Sequence, residues 1–224
     1  MRVRVATTAL GITAALLALP ACSTDTTAAK HQTASSARTG KPAALSSAAL
    51  ESRLLDRSDL GSGYLPKPER PAQHDDVTVT GCPALSGLGG DAATGGTFTF
   101  PHKAKTAFTY GGSSSEISEE LYSGSASKLS DGIGRIFDAM TGCPTYQVVS
   151  GGAPIDVASQ KLPAPRELGD EQWSQLLTFS SGGRSTVVKQ TAIRRGSLLL
   201  IVAGSPTLVD LHLDKAIAKA TATG

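Results

Sequence analysis

The sequence predicts an α+β fold, a single domain in which an antiparallel sheet carries three main helices. Apolar residues recur at helical spacing between residues 123 and 144, and a second pattern of this kind closes the chain. On both sides of the first helix, segments rich in β-branched and aromatic residues follow one another, with glycine-containing turns between several of them. Runs of strands with helices between the runs are typical of a sheet with helices packed against it.

The first 21 residues have the pattern of a secretion signal. They begin with MRVRV, continue with a short apolar segment and end in LPA before Cys22. A membrane-spanning helix needs about 20 apolar residues, more than this segment offers. The ending resembles a bacterial lipobox, which implies diacylglycerol on the Cys22 sulfur, cleavage before Cys22 and acylation of its new amino group. We therefore expect a lipid anchor on the extracytoplasmic face of the cell membrane; an ordinary secreted protein is the alternative.

Residues 22–44 are rich in serine, threonine and alanine and show no apolar periodicity. Such a segment buries too little surface to order itself, so it predicts a disordered tether ahead of a domain formed by residues 45–224. Cleavage after residue 21 removes two of the 21 basic residues and none of the 19 acidic ones, so equal numbers remain. A neutral chain without a long basic cluster argues against a nucleic-acid partner.

The folded part is expected to begin with a helix that starts at Ser46 or Ser47 and ends at residues 59–61. Glycine and proline then recur as far as residue 96, which predicts a long irregular loop. A loop of this length is unusual in a compact domain unless it is functional or cross-linked.

Cys82 and Cys143 each stand in the sequence Gly-Cys-Pro. In an oxidising compartment, with Cys22 bound to lipid, a disulfide between them is the first expectation. It would close a loop of 61 residues, which is worth roughly 4 kcal/mol in the chain-entropy model. Two free thiols or a metal-binding pair are the alternatives.

The strands are expected on both sides of the long helix. They fall at residues 97–100, 107–111 and 115–122 before it, and at 146–150, 155–160, 172–179, 185–193 and 197–203 after it. The last of them, SLLLIVA, is a continuous apolar run, so we expect it to be buried on both faces of the sheet. Ser205 and Pro206 then begin the final helix.

The long helix should be a core helix, because Leu129, Ile133, Phe137 and Met140 share one face. Ser123 or Ser125 is expected to cap its start, and Gly142 is expected to end it in a left-handed conformation. Gly132 lies on the apolar face, where the missing side chain would let the sheet approach closely.

Five stretches of the chain form a recognisable set: the sequence DLGSGY that ends in Tyr64, the Gly-Cys pair at Cys82, residues 116–143, the sequence LGD at 168–170, and the closing helix. This set resembles the actinobacterial lipoproteins related to the extracellular sensor domain of mycobacterial protein kinase H. The resemblance covers residue 45 to the end. It implies an extracellular ligand-binding or sensing module with a cleft beside the sheet and no catalytic residues.

Signatures of catalysis are missing from the sequence. Neither a Gly-x-Ser-x-Gly nor a His-Glu-x-x-His motif occurs, and no phosphate-binding loop or dinucleotide fingerprint is present. The sequence HDD at residues 74–76 and the glutamates at 116, 119 and 120 could supply metal ligands or an acid pair. A solvated loop and an exposed face explain these two groups better. We therefore expect no enzymatic activity, cofactor or metal.

Trp173 is the only tryptophan, and either core packing or a place in a cleft wall suits it. We expect a cleft between the loop of residues 61–96 and the strands that begin at Trp173, with Tyr64 and Trp173 as candidate ligand contacts. The ligand would be a neutral glycan, a peptide or an amphipathic envelope molecule. Three functions stay open: a ligand-sensing module, a carrier of an envelope lipid or glycolipid, and a cell-envelope hydrolase.

Overall fold

The computed structural model describes residues 44–68, 77–89, 100–112, 115–150, 152–163 and 168–222. The predicted signal peptide, Cys22 and all but the last residue of the predicted tether lie outside these ranges, as does the sequence HDD at 74–76. The prediction of a strand at 97–100 falls outside them too, except for Phe100.

Five helices and nine strands occur in the described residues. The helices are α1 (Ser47–Glu51), α2 (Arg57–Leu60), α3 (Pro83–Ser86), α4 (Ala126–Gly142) and α5 (Pro206–Ala220). The strands are β1 (Tyr64–Pro66), β2 (Thr78–Thr80), β3 (His102–Tyr110), β4 (Ser115–Ser123), β5 (Thr145–Ser150), β6 (Ala153–Lys161), β7 (Glu171–Ser181), β8 (Arg184–Arg195) and β9 (Leu198–Gly204). The α+β class is confirmed. The prediction of three main helices is not, because α1, α2 and α3 are short and only α4 and α5 are long.

All nine strands form one antiparallel sheet in the order β1-β3-β4-β9-β8-β7-β6-β5-β2. The hairpins β3–β4, β5–β6, β7–β8 and β8–β9 join neighbours through short turns, as the glycine-containing turns in the sequence predict. The two outermost strands, β1 and β2, are only three residues long. Both lie in or beside the stretch that the sequence predicts to be irregular.

Strand β9 is the centre of the core. Leu198, Leu200 and Val202 point to one face of the sheet, where α1, α2 and α5 pack; we call this the first face. Leu199 and Ile201 point to the second face, beneath α4. Residues that alternate between two covered faces must all be apolar, so the prediction that SLLLIVA is buried on both sides is confirmed.

Helix α4 covers the second face with the apolar stripe that the sequence predicts. Ser125 caps its start by accepting a hydrogen bond from the Lys128 backbone N–H at 3.4 Å. Gly142 does not end the helix in a left-handed conformation, because Cys143 takes an extended conformation and leads straight into β5. Gly132 makes room for the ring of Phe100 rather than for the sheet: a Cβ atom there would lie 2.8 Å from the ring.

The first predicted helix is divided into α1 and α2. Asp56 interrupts it because its side chain accepts hydrogen bonds from the backbone N–H groups of Ser58 and Asp59, which forms a capping box for a new helix. The preceding residue, Leu55, donates its backbone N–H to Glu119 instead of to a helical carbonyl. A periodicity pattern alone does not reveal such a break.

A disulfide joins Cys82, just before α3, to Cys143, just after α4, with the two Cα atoms 5.7 Å apart. The structure therefore has the pairing that the sequence predicts. Cys82 is fully buried in an apolar cluster with Leu85, Met140 and Tyr146. The disulfide attaches the middle of the predicted loop to the end of the long helix.

Candidate functional site

Half of the first face carries no helix in the described part of the chain. The apolar cluster beneath α1, α2 and α5 takes its strand residues from β1, β3, β4, β8 and β9 only. The remaining strands, β7, β6, β5 and β2, are covered by α3 and α4 on the second face. On the first face these strands border an open concavity of about 550 Å³.

Ten of the described residues line this concavity, and they come from all four strands and from the turn after β2. They are Thr80, Gly81, Thr145, Tyr146, Gln147, Asp156, Val157, Ala158, Thr178 and Ser180. The strand registers bring their polar side chains to one face, because Thr80 pairs with Gln147, Gln147 with Asp156, and Asp156 with Ser180. We call this surface the open concavity.

The chemistry of the open concavity is neutral and polar apart from one carboxylate. The described side chains that face it carry four hydroxyl groups, the Gln147 amide and the Asp156 carboxylate, and the ten described lining residues include no lysine, arginine or histidine. The amide Nε2 of Gln147 donates a hydrogen bond to Asp156 Oδ1 at 3.0 Å. The two residues are directly opposite each other on neighbouring strands, so this contact fixes both side chains across the strand pair.

The rim of the concavity is the turn at Gly81, which has a φ of 82°. Gly81 lies close to β5, since a Cβ atom there would be 3.5 Å from the Tyr146 Cα. The next residue is Cys82, so the disulfide holds this rim in place. The side chain of Tyr146 points to the second face, where burial raises the pKa of its hydroxyl to about 12.

Tyr64, a predicted ligand contact, is a packing residue. Its hydroxyl lies 2.6 Å from His212 Nε2, and its ring lies 4.7 Å from the ring of Tyr110. Only 3% of Tyr64 is exposed. Burial raises the pKa of Tyr64 and lowers that of His212, which favours a neutral pair. Tyr64 therefore attaches β1 to α5 on the first face, away from the open concavity.

Trp173, the other predicted contact, lies on the second face beneath α4, with its ring 6.4 Å from that of Phe137. The structure thus matches the core-packing alternative for this residue. Tyr64 and Trp173 lie on opposite faces of the sheet, and neither lines the open concavity.

The open concavity lies between the two segments that the sequence analysis predicts as borders of a cleft, although it does not contain the two predicted contact residues. Thr80 and Gly81 come from the loop of residues 61–96, and Thr178 and Ser180 come from the strands that begin at Trp173. Sequence reasoning missed these side chains because small polar residues on an open sheet face have no distinctive motif. The available signal is the alternation of small polar and apolar residues, as in Thr178, Phe179 and Ser180.

Two of the stretches that carry the family resemblance have structural roles. In LGD, Asp170 Oδ2 accepts hydrogen bonds from the Gly196 backbone N–H at 2.7 Å and from Arg194 Nη1 at 2.9 Å, which fixes the β8–β9 turn. A side chain on Gly169 would collide with the Arg194 carbonyl at 2.5 Å. In DLGSGY, Asp59 forms an ion pair with Lys219, which ties α2 to α5. Neither stretch lies in the open concavity.

The three glutamates considered as an acid group do not converge. Glu116 pairs with Lys67, and Glu120 pairs with Lys105 at 2.7 Å. Glu119 points to the first face and is 1% exposed. Among the residues that the structure describes, no group of three or more histidine, cysteine, aspartate or glutamate residues could hold a metal ion.

Glu119 is a carboxyl group enclosed by the core of the first face. Its Oε2 accepts a hydrogen bond from the Leu55 backbone N–H at 2.6 Å, and its Oε1 has no hydrogen-bond partner within the described part of the chain. Burial raises the pKa of Glu119 to about 7. The hydrogen bond from Leu55 and the charge of Lys219 act in the opposite direction but do not offset the burial.

The fold resembles that of an extracellular domain of a protein kinase. The crystal structure of the extracellular domain of PknH from Mycobacterium tuberculosis superposes with a TM-score of 0.59 and 14% sequence identity, over 81% of this chain and 98% of that chain. The resemblance predicted from the sequence is therefore confirmed for the fold. A second structure, a putative uncharacterized protein (Rv0999 ortholog) from Mycobacterium smegmatis, superposes over 74% of this chain and 93% of that chain. Its TM-score is 0.39 and its sequence identity is 12%.

No protein-family model matches the chain, and no curated protein matches it.

Proposed function

We propose that the protein is a lipoprotein, held at the extracytoplasmic face of the cell membrane through lipid on Cys22, whose α+β domain senses an envelope ligand bound in the open concavity. The signal sequence with its lipobox supports the anchor. The fold shared with the PknH extracellular domain supports the extracytoplasmic location. No helix in the described ranges is long and apolar enough to cross a membrane.

One observation carries the sensing role: the open concavity has a rigid floor and a cross-linked rim. Its floor consists of four hydrogen-bonded strands packed on α3 and α4, and its rim follows directly into the disulfide. Binding to such a preformed surface orders few new groups, so little of the interaction free energy is lost to conformational entropy. The volume of about 550 Å³ lies in the usual range of roughly 300–1,000 Å³ for small-molecule sites.

A lipid carrier fits the described part of the structure less well. The apolar pocket between α5 and strands β8 and β9 has a volume of only about 10 Å³, which is room for roughly one water molecule and not for an acyl chain. The open concavity has the necessary volume but a polar lining. We also favour binding over catalysis, because the described residues of this lining include neither a nucleophilic cysteine nor a histidine that could act as a base.

Native mass spectrometry of the full-length protein, purified from the envelope of its own cells, tests this proposal. We expect a bound ligand in the wild-type protein and its loss in Thr178→Arg, since the longer side chain would fill the open concavity. Thr186→Arg is the matched control, because Thr186 is exposed on the neighbouring strand and its register partner Phe179 belongs to the second face. A ligand retained equally by both variants would contradict the proposed site.

A further inference from the structure

The side chains of the open concavity define the chemical class of its ligand. We propose that the site selects a neutral, hydroxyl-rich molecule, the chemistry of a glycan, and that Asp156 and Gln147 form its principal polar contact. This inference rests on the proposed function and specifies the ligand of the same site.

The charge of the site argues first against anions. Among the described residues of the lining, Asp156 is the only charged one, and its side chain is a carboxylate. A phosphate, sulfate or carboxylate ligand would meet this carboxylate without a compensating lysine or arginine side chain among the described lining residues. Anionic lipid headgroups and nucleotides are therefore disfavoured.

The hydrogen-bonding groups of Asp156 and Gln147 match the hydroxyl groups of a sugar. Their mutual hydrogen bond uses one N–H of Gln147 and one oxygen of Asp156. The second carboxylate oxygen, the amide oxygen and the second amide N–H are left for a ligand, which gives two acceptors and one donor. Neighbouring sugar hydroxyls each donate and accept, so a pair of them satisfies this arrangement. A purely apolar ligand would leave all three groups desolvated and unpaired.

The remaining lining residues fit the rest of a sugar ring. Thr145, Thr178 and Ser180 add hydroxyl groups that donate or accept as the ligand requires. The Ala158 side chain and the threonine methyl groups supply small apolar contacts for the C–H face of the ring. Because the site is an open face rather than an enclosed pocket, it suits a segment of an extended oligosaccharide.

An amine is the main competitor, because it would also be attracted to Asp156. This attraction is weak, since a single ion pair on an exposed surface contributes about 0–1 kcal/mol. The hydroxyl groups of the lining add nothing specific for a positive charge. We therefore favour the neutral ligand, and the competing class becomes an outcome of the test.

The test compares three hexasaccharides of equal length by isothermal titration calorimetry with the full chain: neutral cellohexaose, its cationic glucosamine counterpart, and a sulfated, anionic form. We expect the neutral chain to bind best and the anionic chain at least tenfold more weakly. Gln147→Ala should weaken binding of the neutral chain about five- to tenfold, whereas Asp156→Asn, which keeps an acceptor oxygen, should weaken it less than threefold. Thr186→Ala is the control on the other face, and a thermal melt checks that each variant folds.

Two results would overturn the glycan assignment. If the cationic chain binds best, loses its binding in Asp156→Asn and weakens with added salt, the site selects amines. If none of the three binds while native mass spectrometry finds an envelope ligand that Thr178→Arg removes, the ligand class is wrong although the proposed function stands. If calorimetry detects no binding and native mass spectrometry finds no bound ligand, both the glycan assignment and the proposed function are refuted.

Discussion

Replacing Glu119 with glutamine should make the protein more stable at neutral and alkaline pH. The folded chain raises the pKa of Glu119 from its ordinary value of 4.5 to about 7, because the carboxyl group is buried. A carboxyl group that binds its proton more tightly when folded makes the free energy of unfolding fall as the pH rises between these two values. The raised pKa corresponds to a loss of roughly 3 kcal/mol above pH 7. Glutamine carries no charge and keeps an oxygen that accepts the hydrogen bond from Leu55.

The assay is urea unfolding followed by circular dichroism at pH values from 4 to 8. We expect Glu119→Gln to match the wild-type protein near pH 4, where both side chains are neutral, and to exceed it increasingly up to pH 8. Glu51→Gln, at an exposed position on α1, is the control for the same substitution away from the core. A constant difference between Glu119→Gln and the wild-type protein across this range would refute the reasoning, because it would mean that Glu119 does not titrate there.

Three further predictions concern the anchor, the disulfide and the long helix. Cys22→Ala should abolish incorporation of labelled palmitate in cells, and unchanged labelling would contradict the lipid anchor. Replacing Cys82 and Cys143 together by alanine should lower the free energy of unfolding in urea by up to roughly 4 kcal/mol, and unchanged stability would mean that the 61-residue closure contributes nothing. Gly134→Ala should raise the melting temperature, since a Cβ atom there meets nothing within 4 Å and alanine favours a helix by about 1 kcal/mol. Gly132→Ala should raise it less or lower it, because of the contact with Phe100; equal gains would show that this contact is unimportant.

The long elements of the fold are predictable from the sequence because their periodicity extends over several turns or residue pairs. The apolar stripe of α4 predicts which face of the helix is buried, and the apolar run of β9 predicts burial on both faces of the sheet. Both predictions are confirmed. The short elements are not predictable in this way. The capping box at Asp56 is a local signal for the break between α1 and α2. The hydrogen bond from Leu55 to Glu119 joins residues 64 positions apart in sequence, and no local pattern contains that contact.

The position of the open concavity also depends on information that the sequence does not show locally. Tyr64 and Trp173 attract attention because large aromatic residues serve many binding sites, yet both rings pack within the protein. Thr178 and Ser180 resemble any solvent-exposed strand positions. They line the open concavity because α5 covers one half of the first face and leaves the other half open. This depends on the order of the strands, which follows from long-range pairing.

The central claim is that the open concavity is where an envelope ligand binds. The most direct measurement is an amide chemical-shift map of the isotope-labelled full chain, titrated with aqueous and organic fractions of the envelope from its own cells. We expect one aqueous fraction to shift the amides of Thr80, Gly81, Ala158 and Thr178, while those of α5 stay unchanged. The account is contradicted if no fraction shifts these amides, or if the shifts centre on β1 and α5 instead.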